Sequence, residues 1–253
     1  MKLYEITFSP TGGTQKAADL LTGALGGEAI AADLTDSGAD FSTIAFTPED
    51  VVVIAVPSHG GRVPAPATER LATMKGSGAQ AVLLCVYGNR AYEDTLVELE
   101  DTAKQAGFRV IAAAAAIAEH SIAHHYAAGR PDAEDAKELQ AFASKIREKL
   151  DSGVSGEPDI PGNRPYKKAG GSGMVPKPTK TCTGCGLCAE KCPVKAIDPQ
   201  DPRQTDKNKC ISCMRCVSIC PQSARKVSSV MLTAVDVALK KVCSDRKTGE
   251  LYI

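Results

Sequence analysis

Apolar residues recur along the first 150 positions in two rhythms. Val51–Val56 and Gln80–Val86 are continuous apolar runs, as strands covered on both faces require. Leu3–Phe8 alternates more loosely and also predicts a strand. Ala17, Ala18, Leu20, Leu21, Ala24 and Leu25 fall on one helical face, and Gly26-Gly27 stops that helix. Helices are predicted again over Ala65–Met74 and Tyr92–Ala106. Arg109–Ala118 is rich in alanine and would suit a helix by propensity. Its place in the alternation makes it the fifth strand instead. Asp132 is positioned to cap a helix reaching Leu150, with Leu139, Phe142, Ile146 and Leu150 facing inward. Strands alternating with helices over residues 1–150 predict an α/β domain with a doubly wound, five-stranded parallel sheet.

The rhythm then stops. Residues 151–180 hold six glycines and five prolines, a linker or an extended packed segment that exceeds an ordinary connection. Ile160–Tyr166 is too specific in composition for a plain tether and is expected to dock on the first domain. Beyond the next segment, Val227–Val242 reads as an amphipathic helix with Lys240 and Lys241 at its C-terminal end, serving to pack, with residues 226–253 as a helix and tail.

The segment between them, 181–225, carries eight of the ten cysteines. Cys182, Cys185, Cys188 and Cys192 are followed by Pro193; Cys210, Cys213, Cys216 and Cys220 repeat the same spacing before Pro221. Two intervening residues let successive thiolates turn toward one centre, and the proline bends the chain away after the fourth. Thiolates also suit zinc, but zinc sites pair distant knuckles or recruit histidine, and none is near. Disulfides belong to exported chains, and Met1–Glu5 lacks a charged region leading into an apolar one. The doubled pattern resembles bacterial two-cluster ferredoxins, small α+β domains in which each fourth cysteine serves the other cluster. That resemblance implies one 4Fe-4S cluster on Cys182, Cys185, Cys188 and Cys220, and another on Cys210, Cys213, Cys216 and Cys192.

The loop after the first strand, Ser9-Pro10-Thr11-Gly12-Gly13-Thr14, joins hydroxyls and glycines to a helix N-terminus, a ready anion site. An ordinary capped turn is the competing account. The loop resembles the [ST]-x-T-G-x-T phosphate loop of flavodoxins, which implies FMN on a flavodoxin-like sheet. Ser9, Thr11, Gly12, Gly13 and Thr14 would hold the phosphate. By position, Pro57, Ser58, His59, Gly60, Gly61 and Arg62 form the second flavin loop, and Tyr87, Gly88, Asn89, Arg90, Tyr92 and Asp94 the third. His59 is equally a plain loop histidine. Arg62 and Arg90 would raise the flavin potential, unless they pair with Glu93 or Asp94. His120 is a candidate proton donor. His124 and His125 lack a carboxylate at metal-binding spacing, and Cys85 reads as a core thiol.

Charge narrows the function. Thirty Lys/Arg balance thirty Asp/Glu, which points to neither nucleic acid nor an anionic membrane. The longest apolar run, Val110–Ala118, is too short to span a bilayer, so a cytoplasmic protein is expected. From Pro176 to Gln222, eight Lys/Arg face four Asp/Glu, so two clusters of about −2 each bring that module near neutrality. It suits service to its own flavin domain better than docking on basic partners. The two halves together resemble the flavodoxin–ferredoxin fusion proteins of anaerobic prokaryotes. That implies an iron-sulfur flavoprotein oxidoreductase working with a redox protein or small-molecule acceptor, a homodimer being left open. The alternatives are an electron carrier with no substrate, or a ferredoxin beside a flavin-free domain.

Overall fold

The computed structural model describes residues 1–153, 156–170 and 173–253. Strands β1 (Leu3–Thr7), β2 (Ala29–Asp33), β3 (Val51–Pro57), β4 (Gln80–Tyr87) and β5 (Arg109–Ile117) pair in parallel in the order β2-β1-β3-β4-β5. This is the flavodoxin-like order, with its topological switch point between β1 and β3. The edge strand β2 has only the short apolar run Ala29–Ala32, and none of its five residues is buried.

The continuous runs are explained by two cores. Val52, Ile54 and Val56 of β3 pack into the one that includes Leu71 of α2 (Ala65–Leu71) and Leu96 and Leu99 of α3 (Thr95–Gln105). Val51, Val53 and Ala55 enter the other, under α1 (Gly13–Leu25) and α4 (Ala133–Ser152). The alanines of β5 alternate the same way, with Ala113 and Ala115 on one side and Ala112, Ala114 and Ala116 on the other. Burial on both faces overrides their helical propensity. Asp132 caps α4 through the N–H groups of Glu134 and Asp135, and Asp135 returns the bond to the Asp132 N–H.

The sheet has a sixth strand that the local pattern does not announce. After α7 (Ser229–Cys243), the chain returns as β8 (Glu250–Tyr252) and pairs antiparallel with β5, Ala115 opposite Glu250. Within residues 226–253 the helix is thus followed by a short strand, Glu250–Tyr252, which covers part of the β5 edge. The linker is likewise docked over part of its length. Asp94 accepts bonds from the Asn163 and Lys167 N–H groups at 2.8 and 2.7 Å, and Arg164 grips Asp101.

The cysteine segment folds as two similar halves. Helix α5 (Leu187–Glu190) belongs to the first and α6 (Arg215–Ser218) to the second, with strands β6 (Lys177–Pro178) and β7 (Arg225–Lys226) paired antiparallel. Equivalent positions Lys195 and Ser223 share left-handed φ values of 49° and 46°. The sequence repeat is thus a repeat of backbone geometry. No helix among the described residues is long and apolar enough to cross a membrane.

Candidate functional site

A cleft opens at the C-terminal ends of β1, β3 and β4, at the switch point. Its narrow end lies under the loop leading into α1, lined by Thr11, Gly13 and Thr14 with Pro57, Ser58, His59, Tyr87 and Gly88. The first N–H groups of α1 have no intrahelical partner and face any anion placed there. Ser9 holds the loop: its N–H donates to Thr35 Oγ1 at 2.8 Å, and its own Oγ accepts from the Gln15 N–H at 2.9 Å. Ser9 and Gly12 thus shape the loop without lining the cleft.

Next to it, a wider cavity of about 310 Å³ shares Ser58, His59 and Ser121, and adds Gly60, His120, Lys167, Lys168 and Gly170. Gly60 and Gly61 turn the second loop with φ of 61° and 84°, so that the His59 N–H and Arg62 carbonyl meet at 3.0 Å. Gly88 is required for a different reason: a Cβ there would lie 2.7 Å from the His120 ring. Burial pushes His59 and His120 down to about 4, with His120 adding to the effect on His59. Both rings are neutral at pH 7. The His120 Nδ1 accepts from the Ile122 and Ala123 N–H groups at 3.2 and 3.1 Å. Its proton therefore sits on Nε2, and His120 is a hydrogen-bond donor rather than a charged acid.

Several residues expected at the flavin are committed elsewhere. Arg62 forms a two-pronged pair with Glu98 at 2.6 and 2.7 Å and stacks on Tyr166, so its charge is answered locally. Its partner is Glu98, not Glu93 or Asp94. Arg90 pairs with Glu93 at 2.8 Å. The Tyr92 hydroxyl bonds Glu250 and Tyr252 of β8, and the Asp94 carboxylate faces the linker. Asn89 donates to the Cys243 and Asp245 carbonyls at 2.7 and 2.8 Å, clamping the chain after α7. These long-range contacts leave His59, Tyr87 and Gly88 as the walls. His124 and His125 pair with Glu119 and Asp236 at the surface.

The cysteines gather in two further cavities. Cys182, Cys185, Cys188 and Cys220 line one; Cys192, Cys210, Cys213 and Cys216 line the other. Among the described residues, no three such side chains converge on a point suited to a single metal ion. Each four surrounds a volume, which fits a cubane better than tetrahedral zinc. The backbone prepares for thiolate charge: the Ala196 and Ala224 N–H groups donate to Cys192 Sγ and Cys220 Sγ, both at 3.3 Å. Burial pushes the Cys213 thiol up to about 11 and Cys216 up to about 12. A bound metal cation would be needed to hold them as thiolates.

The two sites abut. Cys213 lines the narrow end of the cleft, and Ile211 and Ser212 line its wide end. Arg215 donates to the Ser9 and Pro10 carbonyls at 3.4 Å, which sets a cation behind the phosphate loop. Arg70 reaches across to the Pro193 carbonyl. Nothing in the local sequence marked Lys167, Lys168 or Arg215 for this place, since each arrives from another segment.

Residues 181–225 match the 4Fe-4S dicluster domain family. The first 60% or so of the chain is similar in structure to flavodoxins. One from Streptococcus pneumoniae TIGR4 is 19% identical, covering 58% of this chain and 99% of that one, with a TM-score of 0.41. The flavodoxin from the domain Archaea is 14% identical over 60% and 99%, with a TM-score of 0.42. The chain thus joins a flavodoxin-like parallel sheet to a segment that matches the dicluster family. A third similarity is to rubredoxin oxygen:oxidoreductase of the anaerobe Desulfovibrio gigas, 15% identical over 61% of this chain and 37% of that protein, TM-score 0.43. No curated protein gives a significant match. The fold assignment itself stands on the strand order. The dicluster match supports electron transfer by iron-sulfur groups.

Proposed function

We propose that the chain moves electrons within itself, between two 4Fe-4S clusters and an FMN, and works as an iron-sulfur flavoprotein oxidoreductase. One observation carries this reading. Cys213 belongs to the second cysteine set and also lines the cleft beneath the α1 loop. When bound, the clusters would exchange single electrons and FMN one or two, matching one-electron donors to a two-electron reaction.

The chain's own part is placement. Thr11, Thr14 and the α1 N-terminus would hold the phosphate, with the Arg215 guanidinium behind the loop. Ser58, His59, Tyr87 and Gly88 would flank the ring, and His120 would present its Nε2–H as a donor that stays neutral through pH 7. Lys167, Lys168 and Gly170 line the wider cavity and bring positive charge to it. A cavity of about 310 Å³ lies at the lower edge of the range of roughly 300–1,000 Å³ usual for ligand sites. Residues 1–150 with the returning 226–253 would form the flavin unit, 151–180 its docked linker, and 181–225 the cluster unit.

The test is an anaerobic visible spectrum with iron, sulfide and released flavin measured on one sample. About eight irons with one FMN per chain supports the reading. Iron without flavin, even after FMN is added, would refute it and leave a tethered ferredoxin.

A further inference from the structure

The two halves of the cluster unit place residues of opposite character at one equivalent buried position. Ile197 follows Cys192-Pro-Val-Lys-Ala in the first half, and Arg225 follows Cys220-Pro-Gln-Ser-Ala in the second. Ile197 is 4% exposed, as an apolar residue should be, yet Arg225 is only 2% exposed. Its guanidinium donates to the Pro176 carbonyl and the Thr205 hydroxyl at 3.1 and 3.0 Å, and to the Pro202 carbonyl. Its Nε has no hydrogen-bond partner, and among the described residues it forms no ion pair with a carboxylate.

A buried cation with neutral partners alone is unstable in a protein interior. Something anionic has to answer it, and its position says what. Arg225 and Pro202 line the cavity of Cys182, Cys185, Cys188 and Cys220. Pro176 and Thr205 line the cavity of Cys192, Cys210, Cys213 and Cys216. The guanidinium is held on the wall between the two cysteine sets.

We infer that Arg225 is the internal counter-cation of the cluster pair, raising the reduction potential of both clusters and easing the second reduction after the first. The inference rests on the two-cluster reading above. Each cluster gains one electron from an external reductant, with no bond made or broken in the protein, and its charge goes from about −2 to −3. A fixed positive charge in a medium of low dielectric favours the more negative state. Ile197 occupies the equivalent place in the first half, so the shape of the site does not itself demand a guanidinium. Arg225 is a tuning residue and touches no substrate.

The test is a mediated anaerobic redox titration of the full-length, iron-loaded protein, followed by electron paramagnetic resonance, with Arg225→Met and Arg225→Lys beside the parent. Iron is assayed first: a parent with fewer than about eight irons removes the two-cluster reading, and this inference with it. With full loading, Arg225→Met should lower the ratio of reduced to oxidised cluster at a fixed potential by roughly tenfold, about 59 mV for one electron. Arg225→Lys should stay within about threefold of the parent, because it keeps the charge. An unmoved ratio in loaded Arg225→Met, or an equal drop in Arg225→Lys, overturns the inference. If Arg225→Met fails to hold iron, Arg225→Lys decides. Full loading with parental potentials establishes the need for charge. Any other outcome assigns Arg225 to hydrogen bonding alone and overturns the inference.

Discussion

Asp94 offers the sharpest test of how the linker is held. It opens α3, yet its side chain does not cap that helix. It is 1% exposed, and its carboxylate accepts the Asn163 N–H at 2.8 Å, the Asn163 Nδ2 at 2.9 Å and the Lys167 N–H at 2.7 Å. Burial alone would raise its pKa, but the Lys167 and Asn163 N–H groups win and hold the carboxyl below the usual range. Asp94→Asn keeps the shape but removes the charge and turns an NH2 group toward donors. Each hydrogen bond to a charged group contributes roughly 1.5–3 kcal/mol, and one donor left bare costs roughly 1–3 kcal/mol. Some of this is recovered by water once the segment lifts, so opening of residues 160–168 should become easier by about 2 kcal/mol. Arg164 and Tyr166 remain anchored on Asp101, which keeps the effect local. Limited trypsin digestion reads it directly, because Lys167 and Lys168 lie in the latched segment. Where cutting follows the open population, about 2 kcal/mol is about a thirtyfold faster cleavage after these lysines. A rate within twofold of the parent would refute the latch. So would a matching loss of global stability, since the carboxylate would then be holding the domain rather than the linker.

Three further outcomes are expected. Cys213→Ala should halve the iron from about eight to about four per chain while FMN is retained; unchanged iron would remove Cys213 from the ligand set. Asn89 is 2% exposed and adopts a φ of 63°, so Asn89→Ala should cost about 2–4 kcal/mol by stranding two carbonyls and straining the backbone. Thermal denaturation checks this, and a change under half that size would mean the turn after α7 is held by other contacts. Burial depresses His59 and His120 to about 4 against about 6.5 in the unfolded chain. The unfolded state therefore takes up protons first, and stability falls as pH drops from about 6.5 toward 4. Melting temperatures measured from pH 7 to 5 should decline, and the double variant His59→Asn/His120→Asn should flatten that decline; parallel curves would count against it.

The alternation of apolar runs and helical faces made four of the five parallel strands legible, down to the alanine-rich β5. The cysteine spacing made the dicluster segment legible, and β2 escaped because a five-residue edge strand with no buried residue leaves only a short apolar run. The cleft was legible in outline only. Ser9, Thr11, Gly13 and Thr14 sit where the loop pattern puts them, with Thr11, Gly13 and Thr14 at the cleft itself. Arg62, Asn89, Tyr92 and Asp94 lie in the expected loops but turn to Glu98, the turn after α7, β8 and the linker.

The sequence by itself determined what is encoded at short range: strand and helix periods, a helix cap, a glycine loop, a repeated set of thiols. Each follows from residues within about one helical turn or one strand of each other. Only the tertiary structure decided that β8 pairs with β5, that linker residues Lys167 and Lys168 line the cleft, that Cys213 meets the α1 loop, and that Arg225 is buried between the cysteine sets. Those contacts join residues up to some 200 positions apart. Periodicity carries no record of such pairings, because they are settled by which surfaces lose most water when they meet.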